Sequence, residues 1–322
     1  MLPPRDRLTI CFAHVAYRLQ ERFLARQTGI ASFQIRSAAE LESRIGEADV
    51  LLVSGLWRNE LLEKAGRLRF IQSISAGADQ YPRTLLKERG IRLASAQGTN
   101  ERAVAEHAMA LILALARRLP EARDHQSRRH WRGMISDIDG REEELGGKTL
   151  LIIGLGRIGG RLARLAKAFD LRVLGIRRDP TAGRNGADEV AGLDRLPALL
   201  PAADIVALTC PLTAETEGVI GGSTLKLMKR SALLINVARG RCVEEHALIE
   251  ALTEGRIAGA ALDCVAEEPL PESSPLWGFA NVLITPHTGG ETRCYEDNIL
   301  DLLMENLGRL RAGNATLKNE VV

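Results

Sequence analysis

At 322 residues, with 45% hydrophobic and 26% charged side chains, the chain has the make-up of a globular protein of about two domains. Its 43 basic and 41 acidic residues leave a net charge of +2, which argues against a general nucleic-acid binder. The longest uncharged apolar run, 108–116, is far short of the roughly 20 residues that a membrane span requires. Five cysteines (Cys11, Cys210, Cys242, Cys264 and Cys294) are odd in number, widely spaced and free of any C-x-x-C pair. They exclude a disulfide framework and read as reduced, mostly structural thiols, with no metal site expected. The N-terminal stretch lacks the long apolar core of a signal peptide, so a cytoplasmic protein with no membrane or nucleic-acid partner is expected.

In chain order, short apolar runs at 8–13, 30–35, 49–54, 68–74 and 91–95 read as strands, with amphipathic helical stretches such as 17–26 and 81–89 between them. That alternation predicts a parallel sheet covered by helices. A longer helix is expected over 103–118, because Val104, Ala108, Leu111, Ile112 and Leu115 fall on one face, with Pro120 ending it. The following stretch, 117–132, is rich in arginine and histidine and contains Trp131, but Glu121 and Asp124 interrupt its charge. It reads as a solvated or inter-subunit arm rather than a nucleic-acid patch. A second alternation opens at Lys148, with strands expected at 149–153, 172–176, 204–209, 233–237, 258–263 and 282–285. A final helix, 295–310, carries Ile299, Leu303, Leu307 and Leu310 on one face.

The run Leu150-Leu151-Ile152-Ile153 leads directly into Gly154-Leu155-Gly156-Arg157-Ile158-Gly159. The first glycine permits a tight turn, the second lets backbone amides approach a pyrophosphate, and the third lets the next helix pack on the sheet. That helix N-terminus, beginning at Arg157 and Ile158, presents unpaired N–H groups and a partial positive charge to phosphates. Between a buried strand and an Ala/Leu-rich helix, the pattern predicts a dinucleotide site. Roughly 20 residues on, an acid commonly holds the adenosine ribose. Here the second strand ends in Arg177-Arg178, with Asp179 behind them. Two guanidiniums suit a 2′-phosphate, so NADP is the expected cofactor; if Asp179 turns back to the ribose, NAD is.

Three further segments follow apolar strands: Asn236-Val237-Ala238-Arg239-Gly240, Asp263-Cys264-Val265-Ala266-Glu267-Glu268-Pro269, and Thr285-Pro286-His287-Thr288-Gly289-Gly290. The carboxyl ends of strands in open α/β sheets are where ligands bind. An arginine, a carboxylate and an imidazole at three such ends can fix a carboxylate substrate, orient a histidine and move a proton.

With these motifs in this order, the chain resembles the D-isomer specific 2-hydroxyacid dehydrogenases, the family of glyoxylate/hydroxypyruvate reductases and phosphoglycerate dehydrogenases. Ser75-Ala76-Gly77-Ala78-Asp79, Val104-Ala105-Glu106-His107 and Cys210-Pro211-Leu212-Thr213 extend the resemblance over nearly the whole chain. The resemblance implies that Arg239 binds the substrate carboxylate and keto oxygen, and that Glu268 pairs with His287. His287 then gives a proton to the carbonyl during reduction, since a neighbouring carboxylate favours an imidazole's protonated form. It implies that the Ala76 and Gly77 amides receive the substrate carboxylate and that Asp263 orients the nicotinamide carboxamide. The resemblance also implies that Cys210, Pro211, Val237 and Ala238 line the cofactor pocket. His107 reads as a packing or capping residue. Two departures stand out: Arg177 replaces the family's more common acid, and Cys264-Val265 stands where Val-Phe is frequent.

The expected fold is α/β, with two doubly wound parallel-sheet domains. A Rossmann cofactor domain, 100–288, is inserted in a flavodoxin-like substrate domain made of 1–99 and 289–322. The active site is expected in the cleft, and the resemblance implies a homodimer with an arm near 119–147. The expected activity is NADPH-preferring reduction of a small 2-keto acid to a D-2-hydroxy acid. The alternative class is a dinucleotide-sensing corepressor on the same fold.

Overall fold

A computed structural model describes residues 2–322, the side chain of Asp139 apart. The chain divides into two compact units, one running to Asn100 and completed by Thr292–Val322, the other Glu101–Glu291.

The first unit alternates β1 (Thr9–Ala13), α1 (Leu19–Ala25), β2 (Ala31–Ile35), α2 (Ala38–Arg44), β3 (Val50–Val53), β4 (Phe70–Ser73), α3 (Arg83–Glu88) and β5 (Arg92–Ala94). The strands form one parallel sheet in the order β2-β1-β3-β4-β5, the flavodoxin-like arrangement. Strand alternation divides the side chains between two cores. Ile10, Phe12, Val50, Leu52 and Phe70 face one of them, and Cys11, Ala13, Leu51, Val53 and Ile71 face the other. The chain's last helix packs on the first of these cores through Ile299, Leu303 and Leu307. Removing each such side chain from water contributes about 1.5–3 kcal/mol.

The second unit begins with α4 (Glu101–Ala116) and α5 (Leu119–Ser127). It continues through β6 (Thr149–Ile153), α6 (Arg157–Lys167), β7 (Arg172–Ile176), β8 (Glu189–Ala191), α7 (Leu196–Leu199), β9 (Ile205–Leu208), α8 (Gly222–Leu225), β10 (Leu233–Asn236), α9 (Glu245–Thr253), β11 (Gly259–Leu262) and β12 (Val282–Ile284). The final helix, α10 (Tyr295–Arg311), returns to the first unit. The seven strands are all parallel, in the order β12-β11-β10-β9-β6-β7-β8. Read from β6, this is the doubly wound Rossmann order, with its reversal between β6 and β9. On one face α4 and α6 bury Val104, Ala108, Leu111, Ile112, Leu162 and Ala163 against Leu150, Ile152 and Val173. No helix among the described residues is long and apolar enough to cross a membrane.

The expected end of the long helix is corrected. α4 stops at Ala116, Arg118 adopts left-handed backbone (φ +50°), and Pro120 stands in the first turn of α5. A proline is tolerated there because its missing N–H has no intrahelical partner to lose. Edge strand β8 has only three residues, none of them buried, and α2 buries only Leu41. Neither carries a periodic apolar stripe that sequence reading could detect.

Candidate active site

In the Rossmann sheet, register aligns the strand ends: Ile176, Ile153, Leu208, Asn236, Leu262 and Ile284 are successive neighbours. With strands about 4.8 Å apart, the loops that follow them form one row. Arg177, Gly154, Cys210, Arg239, Asp263 and His287 all begin within that row.

The glycine turn occupies the switch point between β6 and β9. Gly154 has φ +104°, and a Cβ on it would come within 2.5 Å of the Cys210 backbone. At Gly159 a Cβ would meet the Gly154 carbonyl at 2.5 Å and Thr209 Oγ1 at 2.8 Å. Thr209 Oγ1 donates to that same carbonyl at 2.9 Å, fixing the turn. Gly156 is the N-cap of α6 and brings no side chain to that end of the helix, the end whose partial positive charge suits an anion. Two glycines that admit no side chain, followed by an uncapped helix, fit a bound pyrophosphate. Cys210 itself is buried, with its Sγ 4.0 Å from Cys242 Sγ, so it presents backbone rather than thiol to the turn.

At the end of β7, Arg177 Nη1 donates to the carbonyls of Ala182 (3.1 Å) and Gly183 (3.0 Å). Asp179 accepts from Thr181 N at 2.9 Å and Thr181 Oγ1 at 2.6 Å, bonds that hold its carboxyl below the ordinary range. Both bonds end on Oδ1, which serves the local turn.

After β10, buried Asn236 clamps the loop from within. Its Oδ1 accepts from Ala238 N at 3.0 Å and its Nδ2 donates to Arg239 O at 3.0 Å. Val237 and Ala238 are buried at the strand end, and Arg239, half-buried, donates from Nη1 to Ala238 O at 2.7 Å. At Gly240 a Cβ would sit 1.8 Å from Val265 O, so only glycine lets this loop reach the one after β11. There, Val265 N donates to Glu268 Oε1 at 3.2 Å, while Glu268 Oε2 lies 2.7 Å from His287 Nδ1. An ionised carboxylate only accepts, so Nδ1 carries a hydrogen and Nε2 is the ring nitrogen left to exchange a proton. His287 and Glu268 are both partly open to solvent. His287 also has left-handed backbone (φ +55°), which costs a non-glycine residue about 1–3 kcal/mol and persists only where its surroundings enforce it.

That enforcement comes from Asp263, which is 4% exposed. Its Oδ1 accepts from Thr285 Oγ1 (2.6 Å) and Thr288 N (3.0 Å), and its Oδ2 from Gly289 N (3.0 Å). Burial pushes the Asp263 carboxyl up, but hydrogen bonds from His107, Thr285 and Gly289 outweigh it and hold the group below its ordinary value. His107 Nε2 lies 3.0 Å from Thr285 Oγ1 and 3.3 Å from Asp263 Oδ1. Sequence reading set His107 aside as a packing residue and gave neither Asn236 nor Thr285 a part. The signal available was that each stands inside a motif already singled out.

In the other unit, Ala76 is exposed and Gly77 half-buried in the loop after β4. Ser75 fixes one side of that loop, donating its N–H to Ser73 Oγ while its carbonyl accepts from Ala96 N. Tyr81 fixes the other, donating from its buried hydroxyl to Val53 O at 2.8 Å.

Residues 109–289 match the model of the D-isomer specific 2-hydroxyacid dehydrogenase NAD-binding domain. The chain is 40% identical over 278 residues to glyoxylate reductase of Aeropyrum pernix, covering 83% of this chain and 81% of that one. It is 39% identical over 258 residues to D-3-phosphoglycerate dehydrogenase of Methanocaldococcus jannaschii, covering 79% of this chain and 48%, about half, of that longer protein. Among solved structures, the NADPH-dependent glyoxylate/hydroxypyruvate reductase of Sinorhizobium meliloti, in complex with NADP and malonate, is 27% identical. It superposes with a TM-score of 0.82 over 98% of this chain and 97% of that one. A doubly wound fold, a dinucleotide turn and a histidine–glutamate pair thus converge with these likenesses: the chain belongs to the D-isomer specific 2-hydroxyacid dehydrogenases, NAD(P)-dependent oxidoreductases.

Proposed function

We propose that the chain reduces small 2-keto acids of the glyoxylate and hydroxypyruvate type to 2-hydroxy acids, with NADPH as the preferred cofactor. The observation that carries this reading is the 2.7 Å pair of His287 Nδ1 and Glu268 Oε2, in the same row of loops as Arg239 and the glycine turn. Arg239 supplies a planar fork for the substrate's carboxylate and keto oxygen. Bound NADPH supplies the hydride that reaches the carbonyl carbon. His287 Nε2 gives its proton to the oxygen, which becomes the hydroxyl. Glu268 keeps the Nδ1 hydrogen bond throughout, so the neutral ring stays aimed and regains a proton from water. In oxidation the same atoms run in reverse.

We assign Gly154, Gly156, Arg157, Ile158 and Gly159 to the cofactor's pyrophosphate. The backbones of Cys210, Pro211, Val237 and Ala238 are assigned to the adjoining pocket, and Asp263 to the nicotinamide side. NADPH preference rests on Arg177 and Arg178. The first is anchored through Nη1 with its charge retained, while Asp179 is engaged by Thr181. One or two charge-assisted bonds to a 2′-phosphate favour NADPH by about 1–3 kcal/mol. The S. meliloti relative is itself NADPH-dependent.

We further assign the chain to homodimers, joined through the arm at 119–147. Leu119, Trp131, Met134 and Ile138 are exposed there, Trp131 by 97%. Five free thiols, four of them buried, suit a reducing compartment, and the cytoplasm is the assigned location. Turnover of glyoxylate, hydroxypyruvate and pyruvate with NADPH and NADH, with chiral analysis of the product, tests the reading. No turnover of any of the three with either cofactor overturns it.

A further inference from the structure

We propose that His107, on α4, is a positioning residue for the reaction: through Thr285 and Asp263 it holds the left-handed backbone that aims the His287 ring. This inference rests on the reading of His287 as the proton donor.

Asp263 is the shared acceptor of this network. One buried carboxylate holds the chain on both sides of His287, through Thr285 Oγ1 before it and the amides of Thr288 and Gly289 after it. Thr285 gives its hydroxyl hydrogen to Asp263 at 2.6 Å, so its oxygen has only lone pairs to offer His107 Nε2 at 3.0 Å. Asp263 Oδ1, 3.3 Å from that nitrogen, likewise only accepts. Both contacts therefore require a hydrogen on Nε2, and His107 is the donor that closes the network. Among the described residues it is also the one cationic or cation-forming side chain within ion-pair distance of Asp263.

Gly289 provides a second, independent observation. A Cβ there would lie 2.7 Å from Asp263 Oδ2 and 3.0 Å from His107 Cδ2, so the segment closes down on this pair of side chains together. A merely packing histidine would not need its polar edge against a carboxylate, a hydroxyl and a glycine-only approach. His107 belongs to the long, well-buried helix α4, so it offers a rigid reference for a loop whose ring must be placed to a fraction of an ångström.

The test compares His107→Phe, which removes the donor, with His107→Gln, whose amide can donate from a similar reach. Glyoxylate and NADPH serve as substrates, and His287→Ala is the control. In His107→Phe, kcat should fall about 10- to 100-fold, the cost of a small misplacement of a reacting group, while KM for glyoxylate and affinity for NADPH stay near wild type. Amide hydrogen exchange at Thr288 and Gly289, read by NMR without turnover, should accelerate. His107→Gln should recover both readouts. Wild-type kcat with unchanged exchange in His107→Phe overturns the proposal. So does equal impairment of His107→Gln, or a matching loss of NADPH affinity, because either points to general packing. If His287→Ala retains normal turnover, the proton-donor reading fails instead, whatever the His107 variants do.

Discussion

His287 combines a partly exposed ring with a backbone conformation that side chains disfavour, and Glu268 meets its inner nitrogen. An exposed pair of this kind adds little to stability, since solvent screens it, so its value lies in orientation. His287→Ala should therefore lower kcat for reduction by about 10²–10⁴-fold while leaving the melting temperature and NADPH affinity nearly unchanged. Single-turnover kinetics and a fluorescence titration check the two halves. At the cofactor's far end, Arg177→Asp should reverse the preference toward NADH; a wild-type enzyme as efficient with NADH as with NADPH would remove the phosphate assignment. Asp263 gives a stability prediction with a definite sign. Its folded value is depressed, so its contribution is complete above the unfolded value of about 4 and is lost as pH falls through the folded one. Asp263→Asn should cost about 1–3 kcal/mol near neutral pH, measured by urea unfolding. That gap should narrow below about pH 4, and a gap that widens on acidification contradicts the assignment.

Secondary-structure elements were legible where pattern and burial agree. β6 and β7 follow their apolar runs residue for residue because both faces of a parallel sheet are covered. β8 and α5 were not, since β8 is a short edge and α5 buries no residue; their positions are set by what they adjoin. The glycine turn is the element whose function local sequence states most clearly. Gly159→Val should disrupt it, because the added Cβ has the Gly154 carbonyl and Thr209 Oγ1 in its way. A cost of about 1–3 kcal/mol in stability, with a marked loss of NADPH affinity, is expected from overpacking at this site. Normal cofactor affinity in a folded variant would show that the third glycine does not shape the phosphate site.

On the scale of the whole molecule, the arm proposed to join two copies carries exposed apolar side chains, Trp131 and Met134 the most open of them. Sedimentation or light scattering should give twice the chain mass, and Trp131→Glu combined with Met134→Glu should shift it toward monomer. A wild-type monomer at micromolar concentration refutes the dimer. Sequence alone determined the α/β alternation, the dinucleotide turn and three strand-end motifs, because each is a local pattern of apolar period, glycine placement or polar residues after a strand. Tertiary structure alone decided that β6 lies beside β9, that Glu268 meets Nδ1 of His287, and that Asp179 is engaged by its own turn. It also turned His107 from a helix-face residue into a partner of Thr285, 178 positions away. The reason is register: parallel neighbours are joined by long crossovers, so side chains that touch across strand ends are distant in sequence, and local periodicity carries no record of which strand stands next to which.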